Sequence, residues 1–141
     1  MVYTLYGSFI LRAFKLDKHV FPEKIRVSIG SAAVLGLLEC KLDVSPTTVH
    51  LMTCNSTPCR ANCSFCSQAK KSSSDSALLS RISWPEFKMS NVITKIKEAY
   101  LNGIMNRVCI QALNYLGVFN HLNAIVYSIR SFSPIPISLI L

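Results

Sequence analysis

The chain has 141 residues, 50% of them hydrophobic and 16% charged, so it is long enough for one domain with a buried core and too apolar for a disordered polymer. Its formal net charge of +8 raises nucleic acid as a partner, but the basic residues are scattered from Arg12 to Arg130 without interleaved aromatics, which argues for a solvated surface and against nucleic-acid binding. The longest apolar stretches, residues 32–38 and 135–141, fall short of the roughly 20 residues that a membrane span needs, and residues 1–14 lack the charged start and cleavage site of a secretory signal, so a cytoplasmic protein with no membrane partner is expected.

Within residues 24–42, a helix start at Gly30-Ser31 and the apolar run of Ala32, Ala33, Val34, Leu35, Leu37 and Leu38 predict a buried helix ending before Lys41. Ser45-Pro46 breaks it, and the β-branched run Thr47-Thr48-Val49-His50-Leu51-Met52-Thr53 predicts a first strand. Residues 54–83 carry no clear periodicity and include the polar stretch Lys70-Lys71-Ser72-Ser73-Ser74. A loop that long in a small domain is usually functional. Ser83-Trp84-Pro85-Glu86 has the form of a helix start, with Ser83 as the cap and Trp84 as a packing anchor. Val92, Ile93, Ile96, Ala99 and Tyr100 then lie on one helical face, and Asn102-Gly103 supplies a stop. Residues 107–113 predict a second strand, with Val108, Ile110 and Ala112 on one face and Cys109, Gln111 and Leu113 on the other. Val118, Leu122, Ile125, Val126 and Ile129 mark a second helix, and residues 136–141 a third strand. The order is βαβαβ, so the fold class is α/β with parallel pairing through crossover helices. A third strand running into the last residue with no helix to cover it suggests part of a larger protein.

Six cysteines are unevenly placed. Cys54, Cys59, Cys63 and Cys66 crowd into the long loop, whereas Cys40 and Cys109 stand alone in apolar segments. Without an export signal or a spread of cysteines, a disulfide framework is disfavoured and a metal favoured. Cys59, Cys63 and Cys66 form C-x3-C-x2-C, and three thiolates at that spacing suit three irons of a 4Fe-4S cluster whose fourth iron keeps an open position. Adding Cys54 gives four thiolates that suit a structural zinc, although zinc modules usually separate two close pairs by a longer spacer. Cys54 is read as the end of the first strand and Cys40 as a helix-packing cysteine. Neither His50 nor His121 lies in a spaced pair with another ligand type, so both are read as satisfied or solvent-facing.

C-x3-C-x2-C directly after the first strand of a βα series resembles the radical S-adenosylmethionine (SAM) enzymes, and Cys63-Ser64-Phe65-Cys66-Ser67-Gln68 resembles the biotin-synthase-like branch, as do residues 24–31 and 79–87. The resemblance implies the N-terminal part of a partial TIM barrel: residues 1–46 as an N-terminal helical extension, and residues 47–141 as about two and a half βα units. It gives Cys59, Cys63 and Cys66 to a 4Fe-4S cluster and Phe65 to the position beside the SAM adenine. It implies that SAM chelates the open iron and is cleaved to a 5'-deoxyadenosyl radical that abstracts hydrogen from a small-molecule substrate. A reductant such as a ferredoxin or flavodoxin would supply the electron, and a further chain could carry the rest of the barrel, so this portion alone is expected to turn over little or not at all. Gln68 is expected to orient the loop by hydrogen bonding, while Arg60 and Lys70 have two readings, as contacts to the SAM carboxylate or as exposed loop residues. Arg107-Val108-Cys109 resembles a strand that carries a ligand of a second iron–sulfur cluster, but residues 136–141 hold no further cysteine, so Cys109, expected to point into the barrel interior, is either such a ligand or a buried, inert core cysteine. The competing class is a non-catalytic iron–sulfur or zinc module.

Overall fold

The computed structural model describes residues 21–141. Alternation of apolar and polar residues sets the first strand, β1 (Lys24–Val27), in which Ile25 and Val27 are buried while Lys24 and Arg26 face away. A short helix, α1 (Ile29–Val34), is followed by β2 (Thr48–Thr53), the small hairpin β3 (Leu78–Leu79) and β4 (Ile82–Ser83), and β5 (Glu86–Lys88). Then come α2 (Met89–Leu101), β6 (Arg107–Gln111), α3 (Val118–Arg130) and β7 (Ile137–Ile140).

Five strands form one mixed sheet in the order β5-β1-β2-β6-β7. β2, β6 and β7 run parallel, with Leu51 beside Ile110 and Val108 beside Ile137. These are the three strands that the sequence predicts, joined by its two helices. The sheet buries one face. Ile25, Val27, Val49, Leu51, Val108 and Ile110 pack under Val92, Ile96 and Ala99 of α2 and Leu122, Ile125 and Ile129 of α3. Burying a side chain of this size contributes about 1.5–3 kcal/mol each, so this layer carries most of the stability. Arg26, His50, Cys109 and Gln111 alternate onto the opposite face, which is partly open to solvent.

At four places the structure departs from the sequence reading. Lys24–Val27 is a strand rather than part of a helical extension: it pairs antiparallel with β2 and joins the same sheet as residues 47–141, while residues 1–20 lie outside the described residues. Helix α1 stops at Val34 and not at Leu38, because Gly36 adopts φ +66° and the N–H groups of Gly36 and Leu37 cap the carbonyls of Ala33 and Ala32. Cys40 therefore lies beyond the helix and is exposed, not packed. The helix-start pattern at Ser83 is overridden: Glu86–Lys88 pairs antiparallel with β1, and α2 begins at Met89 with Lys88 as a cap that makes no side-chain bond. Strand pairing with a segment 60 residues away won over local capping chemistry. Gly103, at φ +67°, ends α2 as expected, with Gly103 and Ile104 bonding back to Tyr100 and Ala99.

Candidate functional site

The cysteine loop leaves the C-terminal end of β2 and returns at β3, so it lies where parallel α/β sheets present their ligand-binding loops. Between residues 54 and 77, Gln68 is the one buried residue. Its amide nitrogen donates to the carbonyls of Ser76 (2.7 Å) and Leu78 (2.8 Å), and its oxygen accepts from Arg26 Nη1 (3.3 Å). Arg26 also donates to the Ser76 carbonyl at 2.7 Å. Gln68 thus ties the loop both to the β3–β4 hairpin and to β1, the orienting role that the sequence suggests.

The other end of the loop is fastened to the turn after β6. Arg60 N–H donates to the Asn114 carbonyl at 2.7 Å, and Asn114 N–H donates to Cys59 Sγ at 3.3 Å. Leu113 N–H in turn reaches Thr53 Oγ1 at 2.8 Å, so the ends of β2 and β6 are held together beneath Cys59. Next to them, buried Tyr115 shares a 2.7 Å hydrogen bond with Nδ1 of His121 on α3. Burial pushes the Tyr115 hydroxyl pKa up and the His121 pKa down, so both groups are held neutral. His121 is a satisfied histidine, and His50 is exposed, as expected for residues outside the site.

Cys63 is exposed and Cys66 and Cys59 are half-buried. Cys63 and Cys66 share one turn, with Cys66 N–H bonded to the Cys63 carbonyl at 3.4 Å. Phe65, between them, is fully exposed at φ +62°. All three thiols are free and lie on one loop, but among the described residues no three His, Cys, Asp or Glu side chains converge as a metal-holding group. In donor type and loop placement the three cysteines fit a three-thiolate metal group, and the main-chain N–H on Cys59 Sγ is the kind of contact that stabilises a thiolate ligand. Ligation itself commonly supplies the energy that draws such thiols together.

Cys54 belongs to a different set of contacts. Its thiol donates to Glu86 Oε1 at 3.3 Å, and Glu86 also pairs with Lys24 (3.4 Å) and Arg26 (3.6 Å). Burial, then the hydrogen bond to Glu86 and its charge, push the Cys54 thiol up, while that same bond, with Lys24 and Arg26, holds the Glu86 carboxyl below its ordinary value. These contacts tie the Cys54 side chain to β5, whereas the contacts of Cys59 and Cys66 lie within the loop and with the turn after β6.

Cys109 sits on β6 on the open face, across from Val108 and Ile110 in the core, as the alternation predicts. Its register neighbours are His50 and Ser138, so no second thiol adjoins it in the sheet. The side chains of Arg60 and Lys70 are exposed. Arg26 and the Asn114 turn were not singled out in the sequence, and Glu86 was read only as part of a helix start; the Lys24–Val27 alternation was the available signal for the first, whereas the others depend on long-range pairing. No family model, curated protein or solved structure matches the chain.

Proposed function

We propose that Cys59, Cys63 and Cys66 hold a 4Fe-4S cluster and that the protein is a radical SAM enzyme of biotin-synthase-like type, built on the front of a partial βα barrel. The observation that carries this reading is C-x3-C-x2-C at the C-terminal end of the first of three parallel strands linked by helices on one face. When bound, the cluster and SAM would supply a one-electron reduction that releases a hydrogen-abstracting carbon radical.

The chain's own residues support the parts around that chemistry. The Asn114 N–H would steady the Cys59 thiolate, Gln68 and Arg26 would hold the loop over the sheet, and the exposed Phe65 ring offers a flat apolar face to an adenine. The face opposite the helices, carrying Cys109 and Gln111, would line the barrel interior. β1 already occupies the outer edge of β2, so a barrel continuing from β7 would not close onto β2. That favours an open, partial barrel over a complete eight-stranded one. The reading implies a cytoplasmic, reductant-fed enzyme acting on a small molecule.

Anaerobic reconstitution with ferrous iron and sulfide tests it. The expected result is about four irons and four sulfides per chain, as a 4Fe-4S cluster requires, lost in Cys59→Ser, Cys63→Ser or Cys66→Ser and retained in Cys54→Ser. Stoichiometric zinc that depends on Cys54 as well would overturn the proposal and favour the zinc module.

A further inference from the structure

Phe65 (φ +62°), Ser80 (φ +51°) and Arg81 (φ +65°) are the non-glycine residues in the left-handed backbone region among the described residues. All three line one open cleft of about 690 Å³ between the cysteine loop and the β3–β4 hairpin. Ser80-Arg81 is the whole connection of that hairpin, since Leu79 pairs with Ile82. Positive φ at both positions makes it a type I′ turn, for which Asn-Gly is the favoured pair. An arginine in the second position carries backbone strain that glycine would relieve, and such strain tends to persist at ligand sites. The cysteine loop contributes Lys71 to the lining of the same cleft, together with Ser64, Ser73 and Ser74, and the hairpin contributes Ser80 beside Arg81. Among the described residues no Asp or Glu lines the cleft, and neither Lys71 nor Arg81 takes part in an ion pair.

We infer that this cleft binds the phosphate of a small phosphorylated molecule. A carboxylate presents two coplanar acceptors, which a single guanidinium fork satisfies. Two cations from separate segments, in a cleft also lined by several serines, suit a more highly charged group that offers acceptors on several sides. The cleft also contains Cys63, Phe65 and Cys66, so as a statement about substrate the inference rests on the radical SAM reading and names the substrate's anionic end. As a binding site it involves no iron and is measurable without it.

Calorimetric titration of the full iron-free chain at low salt, with pyrophosphate as the probe and acetate as the comparator, tests this inference. Pyrophosphate should bind saturably and at least about ten-fold more tightly than acetate, which corresponds to about 1.4 kcal/mol. Arg81→Gly should weaken it by about ten-fold or more while raising the melting temperature, because it removes the cation and the strain together. Lys71→Gln should weaken it comparably, and Lys95→Gln, a cation on α2 paired with Glu98, should leave it unchanged. The inference is overturned by absence of saturable binding, by equal affinity for acetate, by an equal loss in Lys95→Gln, or by Arg81→Gly that binds as well as the parent or melts lower. Iron loading that fails while pyrophosphate binding survives sinks the radical SAM reading alone; the reverse result sinks this inference alone.

Discussion

The helix-covered sheet and the cysteine loop are stabilised by different physics. In the sheet, Leu51, Val108, Ile110, Ile96 and Ile125 are essentially without solvent contact, and their burial is non-directional and distributed over many partners. The loop buries one side chain, Gln68, and is otherwise held by a few directional bonds at its two ends. A layer of the first kind fixes where the strand ends lie, while a loop of the second kind can rearrange around a ligand without unfolding the layer.

The largest effect should come from breaking the first region. Ile110→Ala removes a fully buried side chain between β2, β7 and the helices, and should cost about 2–5 kcal/mol in denaturant unfolding with the midpoint lowered and the slope kept. A loss below about 1 kcal/mol would mean that the layer is looser than its burial indicates.

Gln68→Leu strikes the second region. It removes the amide bonds to the Ser76 and Leu78 carbonyls, which keep those from Arg26 and Ser67, together with the bond from Arg26 Nη1, and at about 0.5–1.5 kcal/mol net per bond should cost about 1–3 kcal/mol. Its signature is local: amide exchange at Ala69, Lys70 and Leu78 should accelerate more than at Leu51 or Ile110. Uniform acceleration would show that loop and layer unfold as one unit.

A smaller effect should follow pH at the joint between the regions. Burial lowers the His121 pKa, so the neutral ring is the folded form and the unfolded chain binds the extra proton. The stability from His121 is present above its ordinary value of 6.5 and is lost as pH falls through the depressed folded value. Glu86, also depressed, loses its contribution only further down, as pH falls below its ordinary value of 4.5. Melting temperature should therefore begin to drop just below pH 6.5, and His121→Gln should flatten that first step while leaving the Glu86 step. A step unchanged in the variant would assign it elsewhere.

The smallest effect is expected at Cys109. It is half-buried on the open face beside His50 and Ser138, so Cys109→Ser should change stability by less than about 1 kcal/mol and leave the iron count of the reconstituted chain unaltered. A loss of iron in that variant would make it a ligand of a second cluster.

How much the sequence revealed follows the same division. Val108 and Ile110 against Cys109 and Gln111, and the spacing of Leu122, Ile125 and Ile129, were legible because burial imposes a period on the residues themselves. The antiparallel edge was not: β1 and β5 are four and three residues long, and each makes sense only beside a partner far away in the chain. Ser83-Trp84-Pro85-Glu86 carries a local helix signal that pairing with β1 overrules. In the site, C-x3-C-x2-C was visible because its chemistry lies in spacing, and Gln68 because it adjoins the motif. The strain at Arg81 was not, since nothing in Ser80-Arg81 announces a type I′ turn.

If Cys59, Cys63 and Cys66 leave one iron open for SAM, as proposed, electron paramagnetic resonance of the dithionite-reduced, reconstituted chain should show a reduced 4Fe-4S signal whose g values shift when SAM is added and which is absent in Cys63→Ser. A well-formed cluster whose signal is indifferent to SAM, or one that survives in Cys63→Ser, would contradict that proposal.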